Sequence, residues 1–320
     1  MRISDAITQY VQYRTDLGYK FVSKRFILNA FANFMGSESE LRDITVEQCS
    51  RYLYEKGCKQ GSVTIYWFCI HTILNCFFKW CSERGFLDSV PLPTFKPKKP
   101  SAYVPYIYSA EELASIFSYA LCYRKRFNVF YPEMVQAVLK TIYFLGLRPS
   151  EAIRLLISDI HLYEGNYALV RETKFYKSRI VPFNSQVSSM FSDILLWRQS
   201  HGIACDGEMP LFVDKRGKGF KMSGIQEAFR LICNAAGIHR ADMDTSHSDV
   251  RLMDLRHTFA TNRMTAWYKE GRDVQAMLPL LSTYLGHDHL DSTAVYITFT
   301  PELLREASEK FESYHKGDKL

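Results

Sequence analysis

Ten residues constrain this chain more than any other stretch: Pro91-Leu92-Pro93-Thr94-Phe95-Lys96-Pro97-Lys98-Lys99-Pro100. Four prolines at that density lock φ and remove backbone donors, so neither a helix nor an interior strand can pass through them. A chain of 320 residues interrupted in this way divides into two folding units, because a single core seldom grows to that length. The expected organisation is a helical domain over 1–90, a linker over 91–101 and a second domain over 102–320.

Before the break, only helical spacing is seen. Ile3, Ile7, Tyr10, Val11 and Leu17 recur at helical intervals, and Phe21 to Phe34 is mostly apolar. Thr45-Val46-Glu47 opens a third helix that stops at Gly57. Ile65, Phe68, Cys69, Thr72, Ile73, Cys76, Phe77 and Trp80 follow i, i+3, i+4, i+7 and predict a fourth. Four helices around one buried seam are expected, with their aromatic residues as core.

After the break, Ser109-Ala110-Glu111-Glu112 reads as a helix start, and Val135, Val138, Leu139, Ile142 and Leu145 mark another apolar face. Between Tyr167 and Phe183 the period drops to two. Tyr167–Arg171 and Arg179–Pro182 read as paired strands, with 173–178 as the hairpin tip. Helices resume after Gln186. The expected fold class is mainly α with a small antiparallel β-sheet (α+β).

Composition excludes several classes. With 47% hydrophobic and 23% charged residues the chain is an ordinary globular one. No apolar run reaches the roughly 18 residues needed to span a bilayer, and no signal-like core follows Met1, so no membrane partner and a cytoplasmic location are expected. The eight cysteines show no CxxC pair and no zinc-ligand spacing, and read as buried free thiols. His287 and His289 lack a cysteine or carboxylate companion, so no metal is expected. Residues 1–100 carry 14 Lys/Arg against 9 Asp/Glu, nearly all of the net charge of +6. That excess suits a surface facing a polyanion. Lys96, Lys98 and Lys99 of the linker, and the run Arg124-Lys125-Arg126, are candidate phosphate contacts; a solvated tether and a solvated face are the alternatives.

The groups that carry chemistry lie far apart in sequence. They are Gly146-Leu147-Arg148-Pro149-Ser150-Glu151, then Leu255-Arg256-His257-Thr258-Phe259-Ala260-Thr261, then Leu285-Gly286-His287, with Tyr296 nine positions after that histidine. Phosphodiester exchange needs fixed donors where negative charge develops on phosphorus oxygens. Arginine suits this because its planar fork stays charged and bonds two oxygens at once. The exchange also needs an acid for the leaving oxygen and a nucleophile for the covalent link. Two arginines, a histidine and a tyrosine can do this without metal, nucleotide or other cofactor. Arg148 beside Glu151 could equally be a structural ion pair.

These three boxes, in this order and with a lysine-bearing hairpin between them, resemble the conserved boxes of the tyrosine recombinase (phage integrase) family over roughly residues 105–315. The resemblance implies a core-type DNA-binding domain at the N-terminus and a catalytic domain after the linker. It further implies that Arg148 and Arg256 hold the scissile phosphate, that Lys174 protonates the leaving 5′ oxygen and that His287 bonds the phosphate. Tyr296 would attack to give a 3′-phosphotyrosyl intermediate. Glu151 matches an acidic position that supports the arginines, and His257 reads as a structural neighbour of Arg256. Lys177 competes with Lys174 for the acid's place.

One position departs from the family pattern. Where the second box usually begins with histidine this chain has Met253, which can neither donate to phosphate nor accept a proton. His247 is a possible substitute. Beyond Tyr296, Thr300-Pro301-Glu302 starts a short helix with Leu304, Ala307 and Phe311 on one face. In the family such a segment docks on a neighbouring subunit; docking on its own domain is the alternative. The expected activity is site-specific recombination of two double-stranded DNA sites by a homotetramer, monomeric when free and nucleoid-associated when bound. Its rivals are type IB topoisomerase-like nicking and resealing, and a DNA-binding accessory protein whose catalysis has lapsed.

Overall fold

In a computed structural model the chain forms two compact units, Met1–Tyr103 and Val104–Leu320. The structure describes residues 1–101, 103–124, 129–163, 165–171, 178–240, 250–287, 289 and 293.

The first unit has helices α1 (Ile3–Asp16), α2 (Val22–Met35), α3 (Val46–Gly57) and α4 (Ile65–Glu83), with a short hairpin of β1 (Cys58–Lys59) and β2 (Ser62–Val63) before α4. α3 begins where the sequence signals it. The Thr45 hydroxyl accepts the Gln48 amide and the Gln48 side chain accepts the Thr45 amide, which closes a capping box. Aromatic side chains knit the core: Tyr10 of α1 sits 5.6 Å from Phe77 and 5.3 Å from Trp80.

The face of α4 differs from the expected stripe. Ile73, Phe77 and Trp80 are buried as expected, but Trp67, Ile70, His71, Leu74, Phe78 and Cys81 are buried too, whereas Ile65, Cys69, Thr72 and Cys76 are exposed. The helix is apolar almost all round, so its periodicity fits two phases. The buried face spans parts of both, adding Trp67, Ile70, Leu74 and Phe78 to Ile73, Phe77 and Trp80, and it leaves a threonine and two thiols to water, the choice that favours apolar burial. Leu17 is also exposed, because α1 ends at Asp16. All eight cysteines are free, but only Cys49, Cys81 and Cys233 are buried. Pro91 and Leu92, expected in the linker, are buried within this unit; Lys96, Lys98 and Lys99 are exposed.

The second unit contains α5 (Ala110–Leu121), α6 (Pro132–Phe144), the single turn α7 (Pro149–Ala152), α8 (Ser185–Ser200), α9 (Met222–Ala235), α10 (Asp254–Lys269) and α11 (Val274–Leu285). α5 starts on a second capping box, between Ser109 and Glu112. The expected strands form as β4 (Tyr167–Val170) and β5 (Arg179–Pro182), antiparallel with Val170 opposite Arg179. A further strand, β3 (Ile160–His161), pairs with β4 and completes a three-stranded sheet that the sequence reading did not anticipate. Two residues are too few for alternation to register.

The main core gathers Met134, Val135, Val138, Leu139 and Ile142 of α6 with residues of α5, α9 and the sheet. A smaller cluster of Ala260, Met264, Trp267, Leu281 and Leu285 holds α10 against α11. Arg198 of α8 is fully buried, and donates to the carbonyls of Pro210 (2.9 Å), Leu211 (3.0 Å) and Ala204, fixing the loop after that helix. Among the described residues no helix is long and apolar enough to cross a membrane.

Candidate active site

Two tight backbone positions place the site. α6 ends at Leu145, and Gly146 follows with φ +59°; a Cβ there would run into the Phe259 ring of α10. Only glycine lets this turn approach α10, and Arg148 emerges just after it as the residue before α7. α11 ends at Gly286, in the left-handed conformation that commonly closes helices. His287 comes next, its amide donating back to the Ser282 carbonyl at 3.0 Å.

Arg148, Arg256 and His287 thus meet, although 139 positions separate the first from the last. Glu151 sits between the arginines with its side chain 8% exposed. Its Oε1 accepts Arg148 Nη1 at 2.8 Å and its Oε2 accepts the Arg148 amide at 3.0 Å. Arg256 Nη1 lies 3.8 Å from Oε2. Arg256 is almost wholly buried and donates to the carbonyls of Gly146 (3.0 Å) and Leu285 (2.7 Å). Arg148 is more open, and its Nη2 donates to the Gly286 carbonyl at 2.8 Å. Arg148 and Glu151 do form the ion pair that the sequence left open, and the pair is part of this cluster.

The sequence reading missed one member of the cluster. Arg179, the first residue of β5, places Nη1 3.1 Å from Glu151 Oε1 and Nη2 2.7 Å from Oε2. A signal was present: Arg179 alternates with Val181, which is fully buried, so a cation heads the inward face of the strand.

The electrostatics follow from this packing. Burial would raise the Glu151 carboxyl, but the hydrogen bond and charge of Arg179 and the hydrogen bonds of Arg148 outweigh it and hold the group at about 2. Burial, helped by the charges of Arg256, Arg148 and Arg179, pushes the His287 imidazole down to about 4. Burial and Arg256 do the same to His257, also to about 4. His287 Nδ1 lies 2.7 Å from Thr293 Oγ1, which orients the ring. The result is a carboxylate and neutral histidines under a net positive field, suited to an anion.

The remaining expected residues divide into two groups. Arg124 is exposed and donates to the carbonyls of Leu121 and Tyr123. Met253 precedes α10 and is 36% exposed. Lys174, Lys177, Tyr296, Lys125, Arg126, His247 and the segment with Leu304, Ala307 and Phe311 lie outside the described residues. Among the described residues, no group of three or more His, Cys, Asp or Glu side chains could hold a metal ion.

Known proteins are similar to this chain in sequence or in fold. The chain is 29% identical over 310 residues to a putative integrase/recombinase, y4rB, of Sinorhizobium fredii, covering 96% of both chains. It is 28% identical over 329 residues to the tyrosine recombinase XerC of Oceanobacillus iheyensis, covering 98% of this chain and 97% of that one. Two solved structures share the fold. The Tn1549 transposon integrase in complex with transposon right end DNA has a TM-score of 0.67 at 14% identity, covering 98% of this chain and 99% of that one. The XerH recombinase bound to its palindromic difH substrate has a TM-score of 0.63 at 21% identity, covering 92% and 80%. The model of the phage integrase family matches residues 129–302, which include every box from Arg148 to Tyr296. By that match over more than half its length, the chain belongs to the phage integrase family.

Proposed function

We propose that this protein is a site-specific recombinase that cuts and rejoins double-stranded DNA through a 3′-phosphotyrosyl intermediate and a Holliday junction. The observation that carries the reading is the convergence of Arg148, Arg256 and His287 around Glu151 from three distant segments. A guanidinium has five N–H donors, and among the described residues Arg148 directs one Nη to Glu151 and the other to Gly286, which leaves donors for a phosphate oxygen.

In this reading, Arg148 and Arg256 neutralise the charge that grows on the non-bridging oxygens, and His287 bonds one of them. Tyr296 Oη attacks phosphorus and the P–O5′ bond breaks. Lys174 gives its proton to the departing O5′, and the tyrosine proton passes to solvent or a nearby base. Attack by the 5′ hydroxyl of another strand on the phosphotyrosyl bond reverses the step, so no energy source is consumed. Domain 1–90, Lys96, Lys98, Lys99 and the Arg124–Arg126 run grip the phosphate backbone. The protein works as a homotetramer on two sites and is monomeric when free, in the cytoplasm and on the nucleoid when bound. The DNA-bound relatives above, and a λ integrase tetramer structure on a Holliday junction (TM-score 0.65, 14% identity), support DNA as the partner and assembly on it.

The test is covalent trapping on nicked DNA carrying the junctions that flank the gene. A nick near the cleavage point releases the short 5′ fragment, so an adduct accumulates and survives denaturing electrophoresis. An adduct with wild type and none with Tyr296→Phe supports the proposal. A specific shift in native gels without any adduct would replace it with the accessory-protein reading, and relaxation of any supercoiled plasmid with the topoisomerase reading.

A further inference from the structure

Three arginines from three parts of the chain take three successive carbonyls at the end of α11. Arg179 Nε donates to Tyr284 (2.9 Å), Arg256 to Leu285 (2.7 Å) and Arg148 to Gly286 (2.8 Å). These are carbonyls that a helix end leaves without internal partners, at the negative pole of its dipole. Two of the three arginines belong to the sequence boxes; Arg179 does not.

Arg179 has the most connections. Its guanidinium bridges both oxygens of Glu151 and reaches Tyr284, so it joins strand β5, the carboxylate and the helix end that presents His287. It also lies flat against the turn: a Cβ on Gly286 would stand 2.8 Å from Nη1 and 3.0 Å from Cζ. The strand it heads follows the 172–177 segment. On the other side of that segment, Arg171 pairs with Asp159. A buried pair of this kind adds little net stability compared with an apolar residue. Fixing three separate elements at once, however, needs the fork.

We propose that Arg179 is a positioning residue for strand cleavage, holding Glu151 and the α11 end so that Arg148, Arg256 and His287 converge on one phosphate. Both of its terminal nitrogens are on Glu151, so it acts through that carboxylate and touches no reacting atom. This rests on the recombinase reading above.

The experiment measures single-turnover cleavage of the nicked DNA from pH 5 to 9, and affinity for the same DNA, for wild type, Arg179→Met, Arg179→Lys and Tyr296→Phe. Glu151 faces Arg148, Arg179 and Arg256, with His287 and His257 nearby. Without Arg179, burial raises its pKa against the opposition of Arg148 and Arg256 alone. Arg179→Met is expected to keep DNA affinity within threefold, to cleave at least thirtyfold more slowly at pH 7.5, and to gain an acid limb absent from wild type. Arg179→Lys restores the charge but not the three-way bridge; it is expected to lose the acid limb and stay at least fivefold slow. Wild-type rate and pH profile in Arg179→Met would overturn the assignment, as would loss of cleavage matched by loss of affinity. If Arg179→Met does not fold, Arg179→Lys decides: wild-type rate overturns, a slow rate with intact affinity supports. No adduct from wild type itself would remove the recombinase reading and this inference with it, whereas a wild-type adduct with unaffected Arg179 variants removes only the inference.

Discussion

Arg179 lays its two terminal nitrogens across the two carboxylate oxygens of Glu151, at 3.1 and 2.7 Å, in a site where that carboxylate is only 8% exposed. A fork-to-fork pair at the centre of three guanidinium groups offsets the repulsion among the cations and lets them pack into one cluster. It also makes the cluster sensitive to anything that removes the one negative charge.

Glu151→Gln should therefore cost stability in a pH-dependent way. The carboxyl, ordinarily near 4.5, is held at about 2 in the folded protein. A lowered acid contributes stability that is complete above its unfolded value and is lost as pH falls toward the folded one. The gap corresponds to about 3 kcal/mol. Urea unfolding should place Glu151→Gln about 3 kcal/mol below wild type at pH 7, with the difference narrowing by pH 3.5. Equal stability at pH 7 would refute the account.

The histidines provide a second pH signature. His287 and His257 titrate at about 4 in the folded protein against 6.5 as the ordinary value. The unfolded chain binds more protons between those values, so their contribution to stability is present above pH 6.5 and lost as pH falls through 4. NMR of the labelled imidazoles should give both midpoints near 4 in the free protein. Adding cognate DNA should raise that of His287, because a phosphate favours the imidazolium. A midpoint near 6.5 for His287 without DNA would contradict this geometry.

Gly286→Ala tests the helix end. The position has φ +68°, and the added methyl would collide with the Arg179 guanidinium. The left-handed backbone alone costs about 1 kcal/mol. The expected result is destabilisation of about 1–2 kcal/mol and at least tenfold slower cleavage with DNA affinity retained. Cleavage at the wild-type rate would mean the turn is not a positioning element.

Replacing Lys96, Lys98 and Lys99 together by alanine should weaken DNA binding at every sequence. Each lost phosphate contact should reduce the slope of log affinity against log salt by about 0.9. A titration between 50 and 200 mM salt reads this directly. An unchanged slope would make the lysines a solvated tether.

Met253→His addresses the departure from the family pattern. Met253 is 36% exposed, and its carbonyl accepts the Arg256 and His257 amides at 3.0 and 3.2 Å, so the side chain can change without disturbing the backbone. Stability should stay within about 0.5 kcal/mol. Cleavage should rise severalfold as a donor and proton acceptor enters. A slower variant would show that another group already fills that role.

Much of the fold was legible because its signals are local. Thr45 and Ser109 cap helices as their neighbours Gln48 and Glu112 require, and Tyr167–Val170 and Arg179–Pro182 alternate as paired strands do. The face of α4 was legible only in part, at Ile73, Phe77 and Trp80. On a helix apolar on nearly every side, periodicity does not set the edges of the buried face; its partners do. The strand at Ile160–His161 escaped for want of length.

By itself the sequence singled out candidates for the chemistry: Arg148, Arg256, His287 and Tyr296 stand out because each sits in or beside a short motif at a fixed spacing. What only the tertiary structure decided is how the described ones are held together. Arg179 lies 28 residues from Glu151 and 105 from Tyr284. A strand pattern says that its side chain points inward, but not which carboxylate or helix end it meets. That depends on how β5 packs against α11, and packing is a property of the whole core, not of any one segment.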